Sequence, residues 1–238
     1  MLLEAMRYER PLIEGRLLGR YKRFLSEVEL PGLGVVVAHC PNPGSMATCA
    51  PEGARVWLSQ NDSPRRKLRY TWELVEVDGE MVMVHPGRAN DLVAEALKAD
   101  RVAELRGYER VRREVRCGET SRLDFLLERA HARCFVEVKS VTLDLGEGIS
   151  AFPDAVTARG RRHLEALGVC VAAGDRAALL FCASRAGSRE VRPADHIDPA
   201  YGEALRRAAK FGVELLAYRC EVAPEAVWLR ESIPVVLP

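Results

Sequence analysis

The stretch that most constrains this chain runs from Ser121 to Ser140. Two apolar runs alternate with period two, Leu123-Asp124-Phe125-Leu126-Leu127-Glu128 and Cys134-Phe135-Val136-Glu137-Val138-Lys139, with Arg129-Ala130-His131-Ala132 between them. Such alternation marks strands, and two strands across a four-residue turn make a hairpin. Leu123, Phe125 and Leu127 share one face of the first strand; Asp124 lies on the other. In the second strand Glu137 and Lys139 share a face opposite Cys134, Val136 and Val138.

Symmetric closure sets Glu128 against Arg133 and therefore Asp124 against Glu137. Directly opposed residues in an antiparallel pair have Cβ atoms roughly 4.5–5.5 Å apart, and like charges there are destabilising. Two facing carboxylates need a reason. A hard divalent cation supplies one, because Mg²⁺ is often held by one or two carboxylates and keeps its other positions for water and phosphate oxygens. Lys139, diagonal to Asp124, would then stand beside the attacking water and the charge that builds on phosphorus.

Asp124 followed by Glu137-Val138-Lys139 resembles the Asp…(Asp/Glu)-x-Lys signature of the PD-(D/E)xK nuclease superfamily. Other segments narrow the match: Arg20-Tyr21-Lys22-Arg23-Phe24-Leu25, His39-Cys40-Pro41-Asn42-Pro43-Gly44-Ser45-Met46, Arg122-Leu123-Asp124-Phe125, Glu137-Val138-Lys139-Ser140-Val141-Thr142 and Phe152-Pro153-Asp154-Ala155-Val156-Thr157. In this order, across nearly the whole chain, they resemble the sugar fermentation stimulation protein A (SfsA) family. Two departures stand out: Leu123 replaces the Pro of the superfamily signature, and Pro43 stands where a Thr is expected. The resemblance implies an α+β or α/β molecule, with an OB-like β-barrel over residues 1–85 and a mixed-sheet PD-(D/E)xK nuclease-like domain over 86–238. It implies DNA as partner and Mg²⁺ or Mn²⁺ as cofactor. The metal would be held by Asp124, Glu137 and the Val138 carbonyl, and Lys139 would serve the attacking water. Because helices preceding the core sheet of the superfamily often donate an acid, Glu95 is the candidate for a third.

The residue pattern is compatible with that architecture. Short runs at 12–18, 21–29, 35–40, 54–59, 71–77 and 81–85 read as strands of a small barrel, with Asp78-Gly79 a tight type I′ turn. Cys40-Pro41-Asn42-Pro43-Gly44-Ser45-Met46 is a rigid loop, read either as a phosphate-facing set of backbone N–H groups or as a plain connection. From Pro86 the period changes: Leu92, Val93, Ala96 and Leu97 recur at helical spacing, with Asn90 or Asp91 as N-cap. Asp154 reads as the N-cap of a helix running to about Leu167 and closed by Gly168. Its buried stripe would be Val156, Gly160, Leu164 and Leu167. The run 177–183 is a strand covered on both faces. Asp198-Pro199 opens a further helix closed by Gly212, and a strand at 213–218 follows.

A formal net charge of +1 argues against a uniformly cationic surface but allows one basic face. The clusters that would build it are Lys22 and Arg23, the loop of Arg65, Arg66 and Lys67 ahead of Tyr70 and Trp72, and Arg159, Arg162 and His163 on the helix after Lys139. Seven cysteines without a Cys-x-x-Cys pair read as buried, reduced thiols rather than a zinc site. No run approaches the length of a membrane span and the N-terminus lacks a signal-peptide core, so the expected location is cytoplasmic. Double- or single-stranded DNA is the expected partner, with no membrane; the residues leave the oligomeric state open, a homodimer included. The favoured function is metal-dependent phosphodiester hydrolysis. A non-cutting DNA-binding regulator of sugar-catabolism genes on the same scaffold is the alternative. A glycoside hydrolase is disfavoured by Lys139 beside the acid pair and by an aromatic share of only 6%.

Overall fold

The computed structural model describes residues 5–117 and 121–238. Strand β1 (Met6–Arg7) is followed by β2 (Ile13–Tyr21), β3 (Leu25–Leu30), β4 (Gly34–His39), β5 (Arg55–Gln60), β6 (Tyr70–Val77) and β7 (Glu80–Met83). From β2 to β6 the strands lie in the order β4-β3-β2-β5-β6, and parallel pairing of Ala38 with Tyr70 and His39 with Thr71 closes them into a barrel. Leu17, Val28, Leu58 and Trp72 fill it, each fully buried. Trp72 is therefore core, its Nε1–H donating to the Leu74 carbonyl at 2.8 Å, and is not a stacking platform. Asp78 and Gly79 take φ of 52° and 77°, as a type I′ turn requires. The second barrel strand, expected from Tyr21, begins only at Leu25, because Lys22 and Arg23 both sit at positive φ (46° and 64°) in a turn.

β1 stands outside the barrel: Met6 pairs with Val227 and Arg7 with Ala226, on the sheet of the second domain. Helix α1 (Pro86–Lys98) starts about one turn earlier than Asn90 or Asp91 would place it. Pro86 occupies the first helical position, where its fixed φ and missing N–H carry no penalty, and the His85 ring caps by accepting the Gly87 N–H at 3.1 Å. After α1 come β8 (Arg110–Cys117), β9 (Ser121–Arg129), β10 (Ala132–Val141), β11 (Leu143–Asp144), β12 (Ile149–Phe152), α2 (Ala158–Ala172), β13 (Arg176–Ala183), β14 (Glu190–Pro193), α3 (Pro199–Phe211), β15 (Glu214–Ala223) and β16 (Ala226–Ser232). Among the described residues, seven strands form one mixed sheet in the order β1-β16-β15-β13-β10-β9-β8, with β10, β13 and β15 parallel. None of the described helices is long and apolar enough to cross a membrane.

Both faces of this sheet are covered, which is why Leu126 and Phe135 are buried, and Leu123, expected on the face of Phe125 and Leu127, packs with Leu126 on the other, at the end of β9 that has parted from β10. Leu92, Val93, Ala96 and Leu97 of α1 pack on Phe125, Val136 and Leu180, and Trp57, Leu74 and Met83 from the barrel join the same cluster. On the other face Leu164 and Leu167 of α2 and Tyr201 and Leu205 of α3 meet Leu123, Leu126 and Leu179. α3 is capped by Asp198 and closed by Gly212 at φ 106°, as its sequence predicts. α2 differs. Its N-cap is Thr157, whose Oγ1 accepts the Gly160 N–H at 2.9 Å, and the helix continues through Gly168 to Ala172. Val156, expected in the buried stripe, is 71% exposed.

Asp154 does not cap because the barrel loop holds it: its Oδ2 accepts the Met46 N–H at 3.1 Å. Arg20 organises that loop by donating to the carbonyls of Asn42, Gly44 and Ser45 at 2.9 Å each. At Gly44 an added Cβ would fall 2.1 Å from Asp154 Oδ2, so any larger residue must displace that carboxylate from the Met46 N–H. Gly44→Ala is expected to destabilise the protein by about 1–3 kcal/mol, lowering Tm in calorimetry by about 2–12 °C. Adding Asp154→Ala should recover part of that loss. A double variant no more stable than the single one would show that the Gly44–Asp154 approach is not the cause.

Candidate functional site

The hairpin that carries the acids closes in the predicted register, with Glu128 opposite Arg133 and Phe125 opposite Val136, but over a tighter turn in which Arg129 already pairs with Ala132. The β9–β10 ladder ends at Phe125–Val136, one step short of the acids. β10 continues to Val141 against β13. Across the split, Asp124 Oδ2 accepts the Val138 N–H at 2.8 Å, so a side chain stands in for the carbonyl that a continuing strand would offer. Asp124 Oδ1 accepts the Asn90 Nδ2–H at 2.8 Å. Asn90 reaches it because α1 begins at Pro86.

Glu137 is 2% exposed. Its Oε1 accepts from Lys139 Nζ at 2.5 Å and is in very short contact with His163 Nδ1. Arg159 Nε donates to His163 Nε2 at 3.3 Å, and His163 Nδ1 faces Glu137 Oε1 and Lys139 Nζ. Glu137 Oε2 is buried with no hydrogen-bond partner. Burial pushes the Glu137 carboxyl up, but the His163 hydrogen bond and the Lys139 charge outweigh it and hold the group below its ordinary value. Burial and the neighbouring Glu137 charge lift Asp124 to about 6, against the downward pull of the Val138 N–H and Lys139. The two acids are thus held apart in acidity. Near neutral pH both are ionised in a largely desolvated pocket.

Asp124, Glu137, Val138 and Lys139 line one cleft of about 540 Å³. Its other walls are Asn42, Pro43 and Gly44 from the barrel, Pro86, Gly87 and Asn90 from α1, and Arg159 and His163 from α2. Of the predicted basic contacts Arg23, Arg159 and His163 border it, although His163 is buried and serves Glu137 rather than facing solvent. Lys22, Arg65, Lys67 and Arg162 are exposed outside the cleft, and Arg66 borders a different cavity. Glu95 is exposed and lines a separate small hollow with Arg101 and Leu229, so α1 brings Asn90 to the acids and not Glu95. Asn90 was missed as a site-forming residue, and Pro86 at the first helical position was the available signal; the barrel loop, read either as a phosphate-facing loop or as a plain connection, lines the cleft through Asn42, Pro43 and Gly44. Among the described residues no three His, Cys, Asp or Glu side chains group as metal ligands. Two carboxylates, an orphaned carboxylate oxygen and a neighbouring backbone carbonyl still match the oxygen-rich, sparsely liganded sites of hard divalent cations.

Comparison with known proteins places this geometry in context. A family described as "Sugar fermentation stimulation protein RE domain" matches residues 87–226, and one described as "SfsA N-terminal OB domain" matches residues 18–84. A sugar fermentation stimulation protein homolog of Marinomonas sp. (strain MWYL1) is 50% identical over 236 residues, covering 98% of this chain and 92% of that protein. Its counterpart in Pseudomonas aeruginosa (strain LESB58) is 53% identical over 235 residues, covering 98% of this chain and all of that protein. A solved structure described as Pyrococcus furiosus SfsA in complex with Ca²⁺ superposes with a TM-score of 0.88 at 26% identity, over 98% of this chain and 99% of that one.

In the metal-free protein, ¹³C-detected NMR should show the Asp124 carboxyl titrating near pH 6 and that of Glu137 below the usual glutamate range. Lys139→Met should move Glu137 upward, since the cation that favours its charged form is gone. Unchanged titration of Glu137 in that variant would mean the ion pair does not hold the carboxylate.

Proposed function

This chain belongs to the sugar fermentation stimulation protein (SfsA) family, and on that premise we propose that it is a DNA-binding phosphodiesterase that needs Mg²⁺ or Mn²⁺. The observation that carries the reading is the orphaned Glu137 Oε2 beside an Asp124 whose carboxyl is pushed up to about 6, in a cleft walled by both domains. Leaving a buried carboxylate oxygen unpaired costs roughly 1–3 kcal/mol or more, and a cation is the partner that would offset it. Asp124, Glu137 and the Val138 carbonyl would hold the ion, which when bound supplies positive charge at the phosphate oxygens. The Ca²⁺ complex described for the Pyrococcus furiosus relative supports an oxygen-ligand site in this fold.

The remaining steps fall to side chains of this chain. Asn90 fixes Asp124 from α1, and His163, itself steadied by Arg159, fixes Glu137 from α2. Lys139 presents an ammonium at the acid pair, where it orients a water and offsets charge gathering on phosphorus. Arg23 and Arg159 flank the cleft and grip phosphates, while the exposed Lys22, Arg65, Arg66, Lys67 and Arg162 extend the electrostatic footprint on DNA. All seven cysteines are buried free thiols, which suits a reducing compartment such as the cytoplasm.

Incubated with plasmid and with single-stranded DNA, the protein should cut in Mg²⁺ or Mn²⁺ and stop in EDTA. Lys139→Ala should slow cutting by about 10²–10³-fold. Cutting that survives Lys139→Ala, or none under any condition, would remove the catalytic assignment. Divalent-cation affinity measured by calorimetry should fall about tenfold per unit as pH drops below about 6, because the cation must displace the Asp124 proton.

A further inference from the structure

A second cavity shares the first turn of α1 with the acidic cleft. Pro86, Gly87 and Asn90 border the cleft, while His85 and Arg88 border this cavity. Its volume is about 390 Å³, within the roughly 300–1,000 Å³ of small-molecule sites. Glu73, 1% exposed, lines it and accepts from Arg88 Nε and Nη2 at 3.0 and 2.9 Å and from Ser59 Oγ at 2.6 Å. The Arg88 guanidinium lies over the Tyr8 ring, 5.4 Å from its centroid. Tyr8 also lines the cavity, and its hydroxyl is buried without a hydrogen-bond partner. Buried phenols normally find one.

Charge decides the class of ligand. The cations at the wall, Arg10, Arg66 and Arg88, are balanced in number by Glu9, Asp62 and Glu73. Two of the three cations are already paired, Arg10 with Asp62 at 2.8 Å and Arg88 with Glu73. Burial holds His85 below its ordinary pKa, so it adds no charge near neutral pH. Such a cavity has no surplus field for a phosphate. It does have donors and acceptors at fixed positions: the Tyr8 hydroxyl, the Ser59 and Thr71 hydroxyls, and Arg66, which donates through Nη1 to Thr71 Oγ1 at 3.2 Å. A flat, neutral group with a hydrogen-bonding edge satisfies that set. Next to the mouth, the loop between β5 and β6 exposes Arg65 and Lys67, charges suited to a polynucleotide backbone.

We infer that this cavity receives one unpaired nucleobase of a DNA strand whose phosphates run past the acidic cleft. The inference rests on the DNA-binding reading above and specifies its substrate: a strand that is single, or opened, at the point of contact. Tyr8 and Arg66 read the edge of the base, and the Glu73–Arg88 pair fixes the wall against which it lies.

Fluorescence anisotropy on the full chain with a short labelled single strand, and with the same sequence as a blunt duplex, tests this in EDTA and again in Ca²⁺. The single strand should bind tighter. Tyr8→Phe removes one hydroxyl and should weaken the single strand about fivefold while leaving the duplex unchanged. Arg66→Gln, on an exposed loop where folding is not at stake, should also narrow the gap between the two probes. Equal affinities for both forms that neither substitution alters would overturn the base site and leave the plasmid-cutting result to stand by itself. Failure to bind either form in either buffer would overturn the base site and the DNA reading together.

Discussion

Two acids withdrawn from water beside one another set the terms for everything around them. In isolation each would be driven toward its neutral form, and a pair still more so. The fold answers unequally. Asp124 receives only a backbone N–H and an amide, which offset burial and the Glu137 charge in part and leave its carboxyl raised; Glu137 receives an ammonium and an imidazole, which keep it charged. One of the four carboxylate oxygens, Glu137 Oε2, is left buried and without a partner. Polar groups buried this way are uncommon in folded proteins and mark places where something outside the chain completes the set.

That arrangement draws on both domains. The splitting of β9 from β10 creates room for the acids, α1 and α2 supply the groups that aim them, and the loop after β4 forms the facing wall. Arg20 shapes that loop from within the barrel, and Asp154 ties it to the segment before α2 through the Met46 N–H and a close approach to Gly44. The barrel is thus part of the site's construction, not a module attached beside it.

How much of this could be read from the chain alone follows from the physics of each element. Glu137 and Lys139 were legible because a strand's period of two assigns faces without reference to where the strand begins, and Asp124 because the hairpin register was right; the period itself breaks on β9, where Leu123 packs with Leu126 instead of with Phe125 and Leu127. Helices are less legible at their ends: the apolar stripes of α1 and α2 are buried as read, Val156 apart, but a start one turn earlier brings Asn90 into α1 beside Asp124, while Glu95, off the stripe, stays exposed. The capping residues that decide those starts, His85 and Thr157, are chosen by tertiary contacts. Asp154 has the better intrinsic preference for a cap but is occupied elsewhere. The barrel strands were found nearly to the residue, with the exception of the Lys22–Arg23 turn, whose positive φ values run against ordinary side-chain preferences.

The shared packing of Trp57, Leu74 and Met83 with α1 and the central sheet bears on how a substrate must arrive. Lobes joined by a continuous apolar seam do not swing like jaws on a pin. The gap between them is set when the chain folds, so whatever enters the cleft must bring the matching shape or the pliancy to adopt it.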